Sequence, residues 1–183
     1  MATAVKIAFV LLGVLLVGGL IGREFWNFDP KAYPYSRDQV QAMLVDAKTT
    51  LPRRDNAGKI EIWSAGRSAK GVKLNMKYAA TAPLLECEAV ITAINPKESR
   101  VVAECAKRPG SDDSSAMSRT QDALRSPMFE EHIVATLKKR PFNRENVTAQ
   151  ETAVVFKNLN GMQQEALQMS ADTARQMAEE RKR

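Results

Sequence analysis

Between Lys59 and Lys107 apolar and polar residues alternate in four short runs, and this period of two constrains the fold more than any other feature of the chain. In KIEIWS, Ile60 and Ile62 fall on one side. In GVKLNMKY, Val72, Leu74, Met76 and Tyr78 face one way and Lys73, Asn75 and Lys77 the other. In LLECEAVITAI the apolar side holds Leu85, Cys87, Ala89, Ile91 and Ala93, and in SRVVAECA it holds Val101, Ala103 and Cys105. Successive side chains of a strand point to opposite faces, so each run describes a strand with one face on a core and one in water, the habit of antiparallel sheets. Gly66, Thr81-Ala82-Pro83 and Asn95-Pro96 punctuate the runs as turns. The expected sheet is a four-stranded antiparallel meander over residues 59–107.

The chain's two cysteines, Cys87 and Cys105, lie on the third and fourth runs. The core positions of both runs are odd-numbered. Directly opposed residues must therefore have an even position sum, or one strand would turn its core face to water. A tight loop centred on Pro96 meets this condition and sets Cys87 opposite Cys105. Opposed Cβ atoms lie about 4.5–5.5 Å apart, slightly wider than a disulfide prefers. The pair is either bonded or two buried thiols acting as small apolar residues, and the redox compartment decides between them. Between the second and third strands, the turn through Pro83 places Lys77 opposite Glu86. Val90 and Val102 are apolar exceptions on the outward face.

Helices are expected around this sheet. Ser36 and Gln39 form a capping box for a helix over 36–51, with Val40, Met43, Leu44, Ala47 and Leu51 on one face and Pro52 as its stop. Arg108 to Asp122 is polar and reads as a loop or a frayed short helix. Ser126-Pro127 opens a second helix over 126–140, with Phe129, Ile133 and Leu137 along one face and His132 beside them. Thr148 and Glu151 form a capping box for the longest helix, over 149–180. There Val155, Leu159, Met162, Ala166, Met169, Thr173 and Gln176 recur at four-three spacing, with Gly161 a weak point of roughly 1 kcal/mol against Ala. The alternative for this segment is a strand at TAVVFK, a turn at NLNG and a shorter helix. As one helix it spans roughly 45–50 Å, more than the sheet it would cover, so its polar end projects or frays.

The N-terminus carries an unbroken apolar run, Ile7 to Gly22. With Ala4, Val5 and a snorkelling Lys6 it reaches the ~20 residues that a membrane helix needs. Phe25, Trp26 and Phe28 follow, as aromatic residues do at a membrane boundary. No Ala-x-Ala site ends the run, so an uncleaved anchor is expected rather than a signal peptide. Gly18 and Gly22 make a GxxxG pair. Counting Lys6 before the run against Arg23, Lys31 and Arg37 after it leans towards a cytoplasmic body. A short leading tail argues instead for a signal anchor, and the expectation adopted is a single-pass membrane protein whose body is exported, periplasmic or extracytoplasmic. The organisation is then an anchor at 1–26, a tether at 27–35 interrupted by Pro30 and Pro34, and a single α+β domain at 36–183. In that domain α-helices pack on one face of the sheet and a long helix ends the chain.

Chemistry is sparse. The net charge is +6, but the basic clusters Lys138-Lys139-Arg140 and Arg181-Lys182-Arg183 lack the interleaved aromatic residues of a single-strand binder, so no nucleic-acid partner is expected. His132 is the sole histidine; it could be a general base, but a histidine on the shoulder of an amphipathic helix is more often a packed or surface residue. Two thiolates and one distant histidine are too few for a metal site. Glu86, Glu88 and Glu104 follow from strand alternation, and residues 111–115 lack the spaced acids and glycine of a calcium loop. Asn146-Val147-Thr148 is a glycosylation triplet whose Thr is wanted as a helix cap. No cofactor and no enzymatic activity are expected. The expected function is a membrane-anchored binding or scaffolding module acting by protein–protein contact, for which a helix rich in Met and Gln is suited. The alternative is a small apolar-ligand or lipid site between the sheet face (Leu74, Met76, Tyr78, Ile91) and the C-terminal helix.

Overall fold

The computed structural model describes residues 29–53, 58–107, 110, 112 and 114–181. The apolar run Ile7–Gly22 and the anchor expected there lie outside these residues. Among the described residues, no helix is long and apolar enough to cross a membrane. The chain divides into two units, Met1–Ala32 and Tyr33–Arg183. Of the first, the described part is a turn in which Asp29 accepts from the N–H of Lys31 through its side chain at 3.0 Å and from Ala32 through its carbonyl at 3.0 Å.

The sheet is antiparallel but has six strands rather than four: β1 (Ala32–Tyr33), β2 (Lys48–Pro52), β3 (Lys59–Arg67), β4 (Gly71–Lys77), β5 (Leu85–Asn95) and β6 (Glu98–Cys105). Their order is β1-β6-β5-β4-β3-β2. β3 to β6 are the expected meander. β2 comes from the end of the expected helix 36–51, which in fact stops as α1 at Arg37–Val45. Lys48 to Pro52 then pairs with β3, Thr49 opposite Ile62 and Leu51 opposite Ile60. Two successive threonines favour the pleated conformation, and the sheet edge supplies hydrogen bonds that a last helical turn cannot. Leu51, apolar at helical spacing from Ala47, also fits a period of two.

Registers follow core parity. Cys87 faces Cys105, Ala89 faces Ala103 and Ile91 faces Val101. Between β4 and β5, Leu74 faces Cys87, and Asn75, not Lys77, faces Glu86. The connection through Pro83 is longer than a tight turn, which slides the strands by an even step and keeps Leu74, Met76, Cys87 and Ala89 inward. Gly66 is likewise not the β3–β4 turn. It sits inside β3 at a bulge after Ser64, and the chain reverses between Ser68 and Gly71, where Ser68 N–H donates to the Gly71 carbonyl at 2.8 Å. Gly71 is required there: a β-carbon on it would lie 2.0 Å from the carbonyl oxygen of Ala89.

Three further helices complete the fold: α2 (Ala116–Ala123), α3 (Ser126–Leu137) and α4 (Arg144–Glu180). α2 forms within the stretch expected to be a loop or a frayed short helix, with Ser115 as its N-cap. α3 ends before the basic cluster, because Lys139 turns to a left-handed φ of 51°. α4 is one continuous helix, and the strand-and-turn alternative does not form. It starts at Arg144 because Asn143 is the cap, its side chain accepting from Glu145 N–H at 2.8 Å. Thr148, the expected cap, donates instead to the Arg144 carbonyl at 3.1 Å.

Helices cover one sheet face. α1 crosses β3 to β6, and α3 lies over β5 and β6. Val40, Leu44, Ile62, Leu74, Met76, Phe129, Ile133 and Leu137 close the core between them. α4 packs chiefly on α2 and α3, not over the sheet.

Candidate functional site

Two buried or half-buried carboxylates fix α4 against the rest of the domain. Glu131, in α3, is 1% exposed. Arg140 reaches it with both guanidinium nitrogens, Nη2 lying 2.9 Å from Oε2. The backbone N–H of Asn143 donates to Glu131 at 2.7 Å and the Asn146 side-chain amide at 3.2 Å. Burial by itself would raise the Glu131 pKa, but the hydrogen bonds from Arg140, Asn143 and Asn146 outweigh it and hold the carboxyl below its ordinary range. A carboxylate at a helix N-terminus is also favoured by the helix dipole. Glu131 thus sets the direction in which α4 leaves the domain.

Glu165 does the reverse service further along. From α4 its carboxylate accepts from the backbone N–H groups of Ala116 and Met117, the latter at 3.1 Å, and from Ser115 Oγ at 3.1 Å. These hydrogen bonds lower its pKa. It caps α2 from another helix, satisfying donors that every helix N-terminus leaves open. Four residues before it, Gly161 is the point of closest approach: a β-carbon there would come within 2.8 Å of the Ala116 methyl. The glycine expected to weaken the long helix is what allows α2 to dock on it.

Every residue from Ala166 to Arg181 is exposed, including Leu167 at 71%, Met169 at 66% and Met177 at 59%. At its root a cleft of about 560 Å³ opens beside α2, lined by Met117, Met162, Glu165, Ala166, Met169 and Asp172 among others. On the other side of α2 a second cleft of about 450 Å³ is lined by Leu124, Val155 and Phe156. Apolar side chains exposed in this number along one element are the surface feature that calls for an explanation.

The residues singled out from the sequence are distributed differently. Cys87 and Cys105 are joined in a disulfide. A shallow cleft of about 410 Å³ lies beside them, with Lys73, Asn75, Glu86, Glu88 and Glu104 around it. Glu88 accepts from Ser68 Oγ and directly opposes Glu104. Leu74, Met76 and Ile91 are buried in the core under α1 and α3, whereas Tyr78 is exposed and lines a separate 230 Å³ cavity with Met128, Arg144, Val147 and Glu151. The four are therefore not brought together around one space. Burial first, and then Glu151, raise the Tyr78 pKa. His132 is fully buried and shares a 2.8 Å hydrogen bond with Thr49 Oγ1 through Nδ1, while Nε2 has no partner. Burial pushes its pKa down to about 4. The glycosylation triplet is built into the first turn of α4, its Asn146 amide engaged with Glu131 and its Val147 buried. Arg140, read as part of a basic patch, is the counter-ion of Glu131.

Glu131, Glu165 and the Gly161–Ala116 contact were not found from sequence. Their partners come from other elements, and no fixed spacing announces them. Comparison of the chain with protein-family models, with curated proteins and with solved structures finds no match.

Proposed function

We propose that this chain is a binding or scaffolding module that acts by protein–protein contact, with the projecting part of α4 as its contact element and the N-terminal apolar run as its membrane tether. The observation that carries this reading is the exposure of large apolar side chains around the projecting part of α4, Leu167, Met169 and Met177. Methionines adapt their shape to a partner surface, and the Glu131 and Glu165 hydrogen bonds hold the root of α4 in place. The Cys87–Cys105 bond supports a body on the oxidising side of the membrane, where disulfides persist. The ligand alternative has less support, since Leu74, Met76 and Ile91 are enclosed by core side chains.

The test is photo-crosslinking of the full-length protein in its own membrane, with the probe placed at Leu167, at Met177 and, as controls on the sheet, at Thr92 and Lys97. Protein adducts at the α4 positions and none at the sheet positions are expected. Adducts confined to the sheet positions, or none at all, overturn the reading.

A further inference from the structure

Resting on that reading, we infer that the contact element of α4 is self-complementary and that two copies of this chain pair through parallel α4 helices along Met162, Ala166, Met169 and Thr173.

The first ground is length with little cover. The exposed part of α4, Ala166 to Arg181, rises roughly 24 Å, and among the described residues only the start of α2 lies beside it. A helix of this size is marginal in water without tertiary support. The second is period. Val155, Leu159, Met162, Ala166, Met169, Thr173 and Gln176 recur every 3.5 residues on average, and a seam of that period is filled by another helix, whose residues form the holes that receive each knob. Near its start the seam runs beside α2, with Met117 and Met162 in the same cleft. Ala166 and Met169 line that cleft too, and the seam continues beyond it through the exposed Thr173 and Gln176.

Charge selects the partner and its direction. One flank of the seam carries Glu165, Asp172 and Glu179, and the other carries Gln163, Ser170 and Met177. An antiparallel copy would set acid against acid. A parallel copy sets Glu165 opposite the second copy's Ser170, and Asp172 opposite its Met177, so no like charges meet. The two acids nearest the root are already engaged within the chain: Glu165 caps α2, and Asp172 pairs with Arg175 at 3.6 Å. A foreign helix with a basic flank would have to draw Glu165 away from its α2 cap, whereas a second copy leaves that cap in place. The symmetric arrangement is also the commonest form of association. Small side chains at Ala166 and Thr173 let the two backbones approach, and the paired Gln176 amides fix the register.

The experiment uses two full-length copies with different affinity tags, coexpressed in the same membrane, one carrying a photo-crosslinker at Met169. The expected product contains both tags, and mass spectrometry places the crosslink within residues 166–173 of the second copy. Thr173→Glu sets two carboxylates against each other in the seam and lowers the doubly tagged product at least about tenfold, since like charges brought together in an interface cost several kcal/mol. Adducts at Met169 to a different protein, without the doubly tagged product, overturn the self-pairing but leave the contact reading standing. Crosslinks joining residue 169 to residues near 176 overturn the parallel arrangement. No protein adduct at Met169, together with none at Leu167 or Met177, overturns both.

Discussion

His132 holds a neutral imidazole inside the core, with one nitrogen bonded to Thr49 and the other unpartnered. Its folded pKa, pushed down to about 4, lies below the value of about 6.5 in an unfolded chain. Between these two values the unfolded state binds the proton and the folded state does not, so stability rises with pH across this window. The contribution is complete above about pH 6.5 and is lost as pH falls towards 4, by about 3 kcal/mol in all. Urea denaturation at pH 7, 6 and 5 is expected to show a falling midpoint, and His132→Gln to flatten the slope in that range. The carboxylates with lowered pKa, Glu131, Glu165 and Asp112, add their own losses only at lower pH, as each is protonated in the folded state. The sequence places His132 on the shoulder of an apolar helical face, but not its complete burial. That depends on β2, the strand bearing Thr49, which the sequence presents as helix.

At the scale of elements, α2 and α4 are held by a missing side chain and a borrowed cap. Gly161→Ala ought to stabilise an isolated helix by about 1 kcal/mol. Here the added methyl meets Ala116 at 2.8 Å, and both atoms sit on helical backbone that yields little. The expected outcome is a lower melting temperature for Gly161→Ala, with Ala116→Gly in the same chain restoring it beyond the sum of the single effects. An additive pair of changes would show that the contact carries no coupling. The strands β3 to β6 are legible because alternation and parity are local properties carried by many residues at once. The bounds of α1, α3 and α4 are less so, since capping boxes at Ser36 and Thr148 look equally good in sequence and only the first is used. α2 is left open between loop and short helix because Glu165, which closes its N-terminus, lies 49 residues beyond Ala116.

For the whole molecule, the disulfide is the one covalent tie within the sheet. It closes a loop of 18 residues between Cys87 and Cys105, and loops of that size are stabilised by about 3 kcal/mol when bridged. Reduction, or replacement of both cysteines by alanine, is expected to lower the unfolding free energy by about that amount in urea titrations, without changing the sheet's circular dichroism in the absence of denaturant. The meander was accessible from alternation alone and the opposition of the two cysteines from parity. The six-strand width was not, because β1 has only two residues and β2 shares its last residues with a helical period. Those outer strands bear on how the molecule behaves in a crowded solution. β2 is short, opens on the exposed Lys48 and closes on Pro52, a residue with no N–H to offer a neighbour. On the other side the outermost strand, β1, has only two residues, and beside it the Ala103 N–H of β6 donates to Glu130 at 3.0 Å while the Ala106 carbonyl just past β6 accepts from Arg125 at 2.6 Å. Both margins of the sheet thus carry features that disfavour strand-to-strand stacking between molecules.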